Sequence, residues 1–443
     1  MTTGAVTGEN LAGDLAPSAD GQGQTNVSPV YRGWVLFVMV LVGACSFMDR
    51  QILTMLIEPI RRDFGLSDQQ LGLLTGVAFA SVYTLAAIPA ARLADRWSRR
   101  SVMAAAVAIW SAMTVACGLA GSFVQLFLAR MGVGLGEAGG TAPAQALVAD
   151  YFPPQQRATA LSIYLLGAPI GMGAGLAFAG WVLVEYGWRW AFILAGIPGL
   201  LIVPLLMFTV KDVRQKQVAG SLQGQDQRPL RETLATLWRI RSLPLMMLGS
   251  TLMALLGMGL IAWVPAFLER THGLAPTEIG AKLGLFLAIG SMIGHLSGGP
   301  LAGFLGRRDL RWHLWTPVVT GIIAVIVIAA ALNSPPDAAM ALFGFQVFLT
   351  GLFAAPMIYM ATTLAPDWAR ATSAACAMFA INLFGLGLGP LIVGSLSDVL
   401  RPSFGEDSLR IALLAALIVY IPAAISFLLA SRTYRSDHMA AIG

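Results

Sequence analysis

Four ionisable residues stand where ionisable residues are expensive. Asp49 and Arg50 sit deep in an apolar run near residues 33–59, and Arg130 and Glu137 in another near 123–149. A charge in the middle of a hydrocarbon core costs roughly 2.5 to 3.5 kcal/mol on insertion scales, so each needs a partner or a wet cavity. Arg130 and Glu137 are two helical turns apart and share a face. Arg50 points about 100° away from Asp49 around a helix, so its simplest partner lies elsewhere. A cluster of all four across two helices is the economical arrangement. With both acids ionised it is neutral, and with both protonated it carries two positive charges. Burial raises carboxyl proton affinity while arginine lowers it. The chemistry this suggests is proton occupancy of Asp49 or Glu137 alternating with an anionic or zwitterionic head group at Arg50 and Arg130. The alternative is a permanent set of ion pairs locking two helices together.

The elements that must position these residues are membrane-spanning helices. Of 443 residues only 12% are Asp, Glu, Lys or Arg, and the mean hydropathy is +0.73, which a water-facing surface of this size does not tolerate. Apolar runs of about 18 to 25 residues recur, each long enough to cross a core about 30 Å thick. Spans are expected near 33–59, 70–92, 101–121, 123–149, 157–184 and 188–210, then near 243–268, 279–304, 312–333, 338–364, 371–398 and 408–431. The fold class is therefore an all-α membrane protein of twelve transmembrane helices in two pseudo-symmetric six-helix bundles. The expected division is a disordered tail over 1–30, a bundle over 31–210, a cytoplasmic linker over 211–242, a second bundle over 243–431 and a C-terminal tail over 432–443. With both termini inside, nineteen Lys and Arg fall inside against seven outside, as the positive-inside rule asks. That excess also accounts for the basic character, with anionic lipid head groups as its partners, and no nucleic acid is implied. Cys45, Cys117 and Cys376 lie in apolar runs with neither disulfide nor zinc spacing, and no metal or cofactor is expected.

The two bundles echo each other. Arg157-Ala158-Thr159-Ala160 and the following glycines recur as Arg370-Ala371-Thr372-Ser373 and its glycines, and Ala91 through Asp95 to Arg99 and Arg100 recurs as Gly299 through Gly303 to Arg307 and Arg308. Parallel halves are the arrangement expected when a solute site lies between them. These residues resemble the major facilitator superfamily, whose loop between spans two and three carries a glycine, an aspartate and basic residues. Here Ala91 and Ser98 stand where glycine is usual, and Gly303 takes the acidic position of the second copy. The resemblance implies a cytoplasmic gate of Asp95, Arg96, Arg99, Arg100, Asp150 and Arg157, with Asp95 capping the start of span eleven and Arg99 pairing with Asp150. A merely topogenic basic loop is the plainer reading. Within the superfamily, Phe47-Met48-Asp49-Arg50, Arg130 to Glu137-Ala138, and Asp150-Tyr151-Phe152 look like the spinster-like lipid transporters. That resemblance implies export of lysolipid-like or sphingoid amphiphiles, with Asp49, Arg50 and Glu137 taking part in coupling.

The second half carries almost no charge away from span ends. Met253, Met258, Met357, Met360, Phe379 and Phe384, with Asn382 as a polar contact, are candidates to line a cavity for an apolar tail. The plainer reading of each Met and Phe is contact with lipid or a neighbouring helix, the commoner place for such a side chain, and of Asn382 an interhelical hydrogen bond. Gly167 through Pro169 to Gly175 resembles the glycine and proline motif of antiporters in this superfamily, and also fits close helix packing. The Gly134–Gly139 fingerprint lacks a preceding strand and implies no nucleotide. The expectation is a non-enzymatic, proton-coupled exporter of an amphiphilic lipid, acting as a monomer by alternating access in a bacterial inner membrane. Export of drugs or organic ions is the alternative, and a membrane-embedded lipid enzyme a distant one.

Overall fold

A computed structural model describes residues 28–213 and 229–442, without the side chains of Asp95, Ala355, Ile358 and residues 440–442. The expected N-terminal tail falls almost wholly on residues outside that set, as does the middle of the expected linker. All regular elements among the described residues are helical. Ten stretches are long and apolar enough to cross a membrane. Span one is Pro29–Met55, span two Asp68–Ala94, span three Arg99–Gly118, span five Pro154–Tyr186 and span six Trp188–Thr209. Spans seven to ten are Ser242–His272, Pro276–Gly306, Trp312–Ala331 and Pro336–Thr363. The tenth stretch turns back at Gly405, whose φ of 58° suits only glycine well, into span eleven (ending Gly387–Phe404) and span twelve (beginning Ser408–Ala416). Span four is two helices, Phe123–Ala138 and Thr141–Tyr151, parted at Gly139-Gly140. This interruption makes each piece too short to register as a crossing alone. Twelve legs bring the described termini, Ser28 and Ile442, to one side, called inner here.

Local sequence explains where the legs begin and bend. Ser28 accepts from the Tyr31 N–H at 3.3 Å ahead of Pro29, and Ser67 with Gln70 forms a reciprocal capping box at the start of span two. Span one stops at Met55, earlier than the apolar pattern suggests. A short helix, Ile57–Phe64, follows after a break at Leu56 and ends on Gly65 at φ 63°. It carries Glu58, Arg61 and Arg62, which break the apolar run and are drawn into ion pairs. In the expected linker, Leu230–Arg239 is a helix, and span twelve continues as Tyr420–Ile442 through the expected C-terminal tail.

The halves meet on the outer side and part on the inner. Span five lies against span eight where Gly173 faces Gly284: a β-carbon at Gly284 would lie 2.8 Å from the Gly173 carbonyl oxygen. Span two lies against span eleven through Gly72 and Pro390, again without room for a side chain. Towards the inner end of span eight, Gly299 and Gly303 have open space around them. Closure of the outer seam thus depends on backbones in contact. Gly284→Leu is expected to hold the seam open, measured as labelling of a cysteine at Ala177 by a membrane-impermeant maleimide added from the outer side. Labelling no faster than in the parent would refute the role of that contact.

Candidate functional site

The four intramembrane charges come together, in a pairing only partly foreseen. Asp49, Arg130 and Glu137 are each 2% exposed. Arg50 reaches from span one to span four and places Nε at 2.7 Å and NH2 at 2.6 Å from a single oxygen, Glu137 Oε2. Ser46 donates to the same oxygen at 2.7 Å. The other oxygen, Oε1, is buried without a partner, and so are Nε and NH1 of Arg130. Arg130 therefore shares a helix face with Glu137 but is not paired to it, and the cluster holds two unmet donors and one unmet acceptor.

Aromatic rings complete the pocket. The Arg50 guanidinium lies 5.1 Å from the Phe47 ring centre, 4.8 Å from that of Phe79 and 5.0 Å from that of Tyr83, and Arg130 shares Phe79 at 5.7 Å. Cation–π attraction of this kind strengthens as water is removed. Asp49 lies within electrostatic reach of Glu137, Arg130 and Arg50. Its Oδ2 is 3.3 Å from the Thr114 hydroxyl, which is also 3.0 Å from the Trp110 carbonyl oxygen. The single Thr114 proton serves one of these at a time. Ser46, Phe79, Tyr83 and Thr114 escaped the sequence reading because a hydroxyl or ring on an apolar helix carries no signal of its direction.

Around the expected inner gate, Arg99 is hydrogen-bonded to Asp150. Arg100 donates to the Met207 and Val210 carbonyls, both at 3.2 Å, closing the end of span six, and Arg157 donates to the Phe152 carbonyl at 3.0 Å. All of these bonds lie within the first half. Arg96 is exposed, and the side chain of Asp95 lies outside the described set. At the start of span eleven Arg370 pairs locally with Asp367 at 2.8 Å.

The residues proposed to line an apolar cavity divide. Met357 and Met360 are packed in the core, and Met253 floors a lipid-facing groove between spans nine and twelve. Met258 and Phe379 keep more than a third of their surface exposed, and Asn382 is half-buried. Phe384 borders a small cavity of about 90 Å³ with Val77 and Ser81 of span two. That cavity touches π-helical turns in both spans, Leu73–Val77 and Ile381–Leu386. Such turns mark places where a helix departs from regular geometry, often at functional sites.

The outer seam holds a charge network that the sequence reading treated only as loop charges. Arg270 at the end of span seven places NH1 and NH2 each 2.7 Å from the two oxygens of Asp68 and bonds Glu58 through Nε. Both acids belong to the other half and are buried, at 0% and 1% exposure. Ser397 donates to Asp68 at 2.7 Å. Asp398 of span eleven accepts the Asp68 and Gln69 backbone N–H groups at 3.0 and 2.7 Å, a carboxylate on the positive end of span two. Arg62 adds a pair to Glu269 at 2.8 Å.

Comparison with known proteins fits this architecture. The family model described as Major Facilitator Superfamily matches residues 39–347. The chain belongs to the major facilitator superfamily. This major facilitator protein is 33% identical over 412 residues to an MFS-type efflux pump of Mycolicibacterium smegmatis, covering 92% of this chain and 94% of the other. It is 26% identical over 427 residues to the sphingosine-1-phosphate transporter SPNS2 of Mus musculus, covering 90% and 77%. Among solved structures it matches a bacterial homologue of the human lysosomal transporter spinster in an inward-facing and unoccupied conformation. There the TM-score is 0.82 at 29% identity, with 93% of this chain and 99% of the other covered. The occupied conformation of that homologue matches with a TM-score of 0.78. The protein is thus a multi-pass integral membrane protein and a spinster-like major facilitator transporter.

Proposed function

We propose that the protein couples proton movement to export of an amphiphilic lipid, of the class of a sphingoid phosphate or lysolipid, by alternating access. The observation that carries this reading is the half-satisfied cluster itself. Buried polar atoms are nearly always hydrogen-bonded, yet Glu137 Oε1 and two Arg130 nitrogens are not. An unmet acceptor and unmet donors within one cluster suit a zwitterionic head group or a proton, with phosphate oxygens taking the Arg130 donors. Proton binding has a natural place at Asp49: Thr114 donating to the Trp110 carbonyl leaves its oxygen free to accept from a protonated carboxyl. In this scheme the Arg50–Glu137 pair joins spans one and four while Glu137 is ionised, and protonation loosens it. Arg99, Arg100, Asp150 and Arg157, with Asp95 and Arg96, form the inner gate that engages when that side closes. The setting is a bacterial inner membrane with both termini cytoplasmic, and the protein acts as a monomer.

A second reading, export of drugs or other organic ions, is favoured by the likeness to the efflux pump of Mycolicibacterium smegmatis. The aromatic rings that hold Arg50 would equally attract an organic cation. Transport into proteoliposomes under a pH gradient separates the two. A labelled sphingoid phosphate or lysophospholipid is expected to move faster with the gradient than without it. Gradient-driven movement of organic cations with no flux of either lipid would replace the first reading by the second.

A further inference from the structure

Away from the central cluster, spans nine and twelve splay apart and leave a groove of about 540 Å³ on the lipid-facing surface. Its walls are mainly apolar, with Val318, Ile322 and Ile326 on span nine and Ile421, Ile425 and Leu428 on span twelve, and Tyr420 also in its lining. Met253 and Gly321 lie at its floor. From Pro317 to Ile326 it runs about 14 Å along the helix at 1.5 Å per residue. Half of a hydrocarbon core about 30 Å thick is about 15 Å, so the groove is about as long as one leaflet is deep; it is centred on span nine and reaches towards the inner end of span twelve.

Both walls continue towards the inner surface with the same change of chemistry. On span twelve the stripe Ile421, Ile425, Leu428 is extended at helical spacing by Arg432 and Arg435, both exposed and without an ion pair among the described residues. On span nine Ile326, Ile322 and Val318 are followed at the same spacing by Trp315 and then by Arg311 just before the helix. Trp315 stacks edge-on with Trp312, ring centres 5.6 Å apart, at the level where aromatic residues anchor to the membrane interface. Two acids lie close in sequence to these arginines: Asp309 accepts the Arg311 backbone N–H at 2.8 Å and Asp437 accepts that of Ser242 at 2.8 Å, and neither forms an ion pair with Arg311, Arg432 or Arg435 among the described residues. An apolar slot one leaflet deep, capped by arginines on both sides, has the shape and charge of one phospholipid.

We infer that this groove binds one acyl chain of an anionic phospholipid whose phosphate sits between Arg311, Arg432 and Arg435. The site is distinct from the transport pathway and does not depend on what is transported. Basic pockets between helices on this side of a membrane suit such head groups, each arginine adding to the attraction.

The test uses the full chain in nanodiscs with phosphatidylglycerol or phosphatidylcholine carrying a diazirine on the acyl chain, followed by peptide mapping. Phosphatidylglycerol is expected to label the segments 312–326 and 417–428 about tenfold more than phosphatidylcholine does. Arg432→Gln with Arg435→Gln should bring it down to the phosphatidylcholine level. Ala424→Trp, which fills the slot, should remove labelling by both lipids, and Ile322→Trp does the same from the opposite wall should the first variant fail to fold. Equal labelling by the two lipids in the parent protein would overturn the inference. So would labelling spread evenly over span three and other lipid-facing helices, or protection of the groove by a second copy of the chain.

Discussion

Glu137→Gln is expected to abolish gradient-driven transport while leaving a folded protein. The substitution keeps the shape of the side chain and a carbonyl oxygen that can still accept from Ser46 and Arg50 at the positions they now occupy, 2.7 Å from Oε2. What it removes is the negative charge, and with it the ability to gain and lose a proton. The guanidinium of Arg50 then keeps its aromatic surroundings of Phe47, Phe79 and Tyr83 but loses its counter-ion. Uncompensated buried charge costs about 3 to 5 kcal/mol when fully desolvated. Arg50 retains about a fifth of its side-chain surface exposed, so the loss in stability should fall below that range. The flux stimulated by a pH gradient should drop at least about tenfold, the effect of losing a little over 1.4 kcal/mol of coupling. Substrate exchange without a gradient should persist, which separates coupling from folding. Full gradient stimulation in Glu137→Gln, with Asp49→Asn behaving likewise, would leave Arg50–Glu137 as a structural tie between spans one and four.

The sequence revealed the fold because membrane helices must satisfy their own backbone hydrogen bonds and present apolar side chains over a fixed length. Those two constraints are visible in one chain, and the legs appear close to where the apolar runs lie. Span four was legible as a run but not as two helices, because the break at Gly139-Gly140 follows from packing: a β-carbon at Gly140 would meet the Trp110 ring at 3.1 Å. Asp49, Arg50, Arg130 and Glu137 were conspicuous since nothing apolar surrounds a charge without reason. Their pairing was not, because sequence gives the face of one helix but not the rotation of its neighbour. Arg270 was overlooked for the opposite reason. At a span end an arginine looks solvated, and only the tertiary fold shows that Asp68 and Glu58 come from the other half to bury it.

Arg270→Met should move the protein away from the state described here, in which the outer seam is closed. Arg270 joins the halves through two acids that are almost fully buried, and methionine keeps the length of the side chain without its charge. With the seam closed, Asp68 and Glu58 would then be buried acids short of their main counter-ion, a loss of about 3 kcal/mol at the low end for breaking a buried pair. With the seam open they return to water, and little is lost. The whole penalty therefore falls on one conformation, which is the condition for a population shift. A difference of about 3 kcal/mol is roughly a hundredfold in the equilibrium. Spin labels at Gln69 and Arg401, both exposed and on opposite sides of the seam, should report a longer distance in Arg270→Met. Adding Glu58→Gln and Asp68→Asn should bring the short distance back, because neutral amides in the closed seam no longer need a cation. A distance unchanged by Arg270→Met would mean that the glycine contacts of spans five and eight hold the outer side closed by themselves. The network would then serve only to satisfy its own charges.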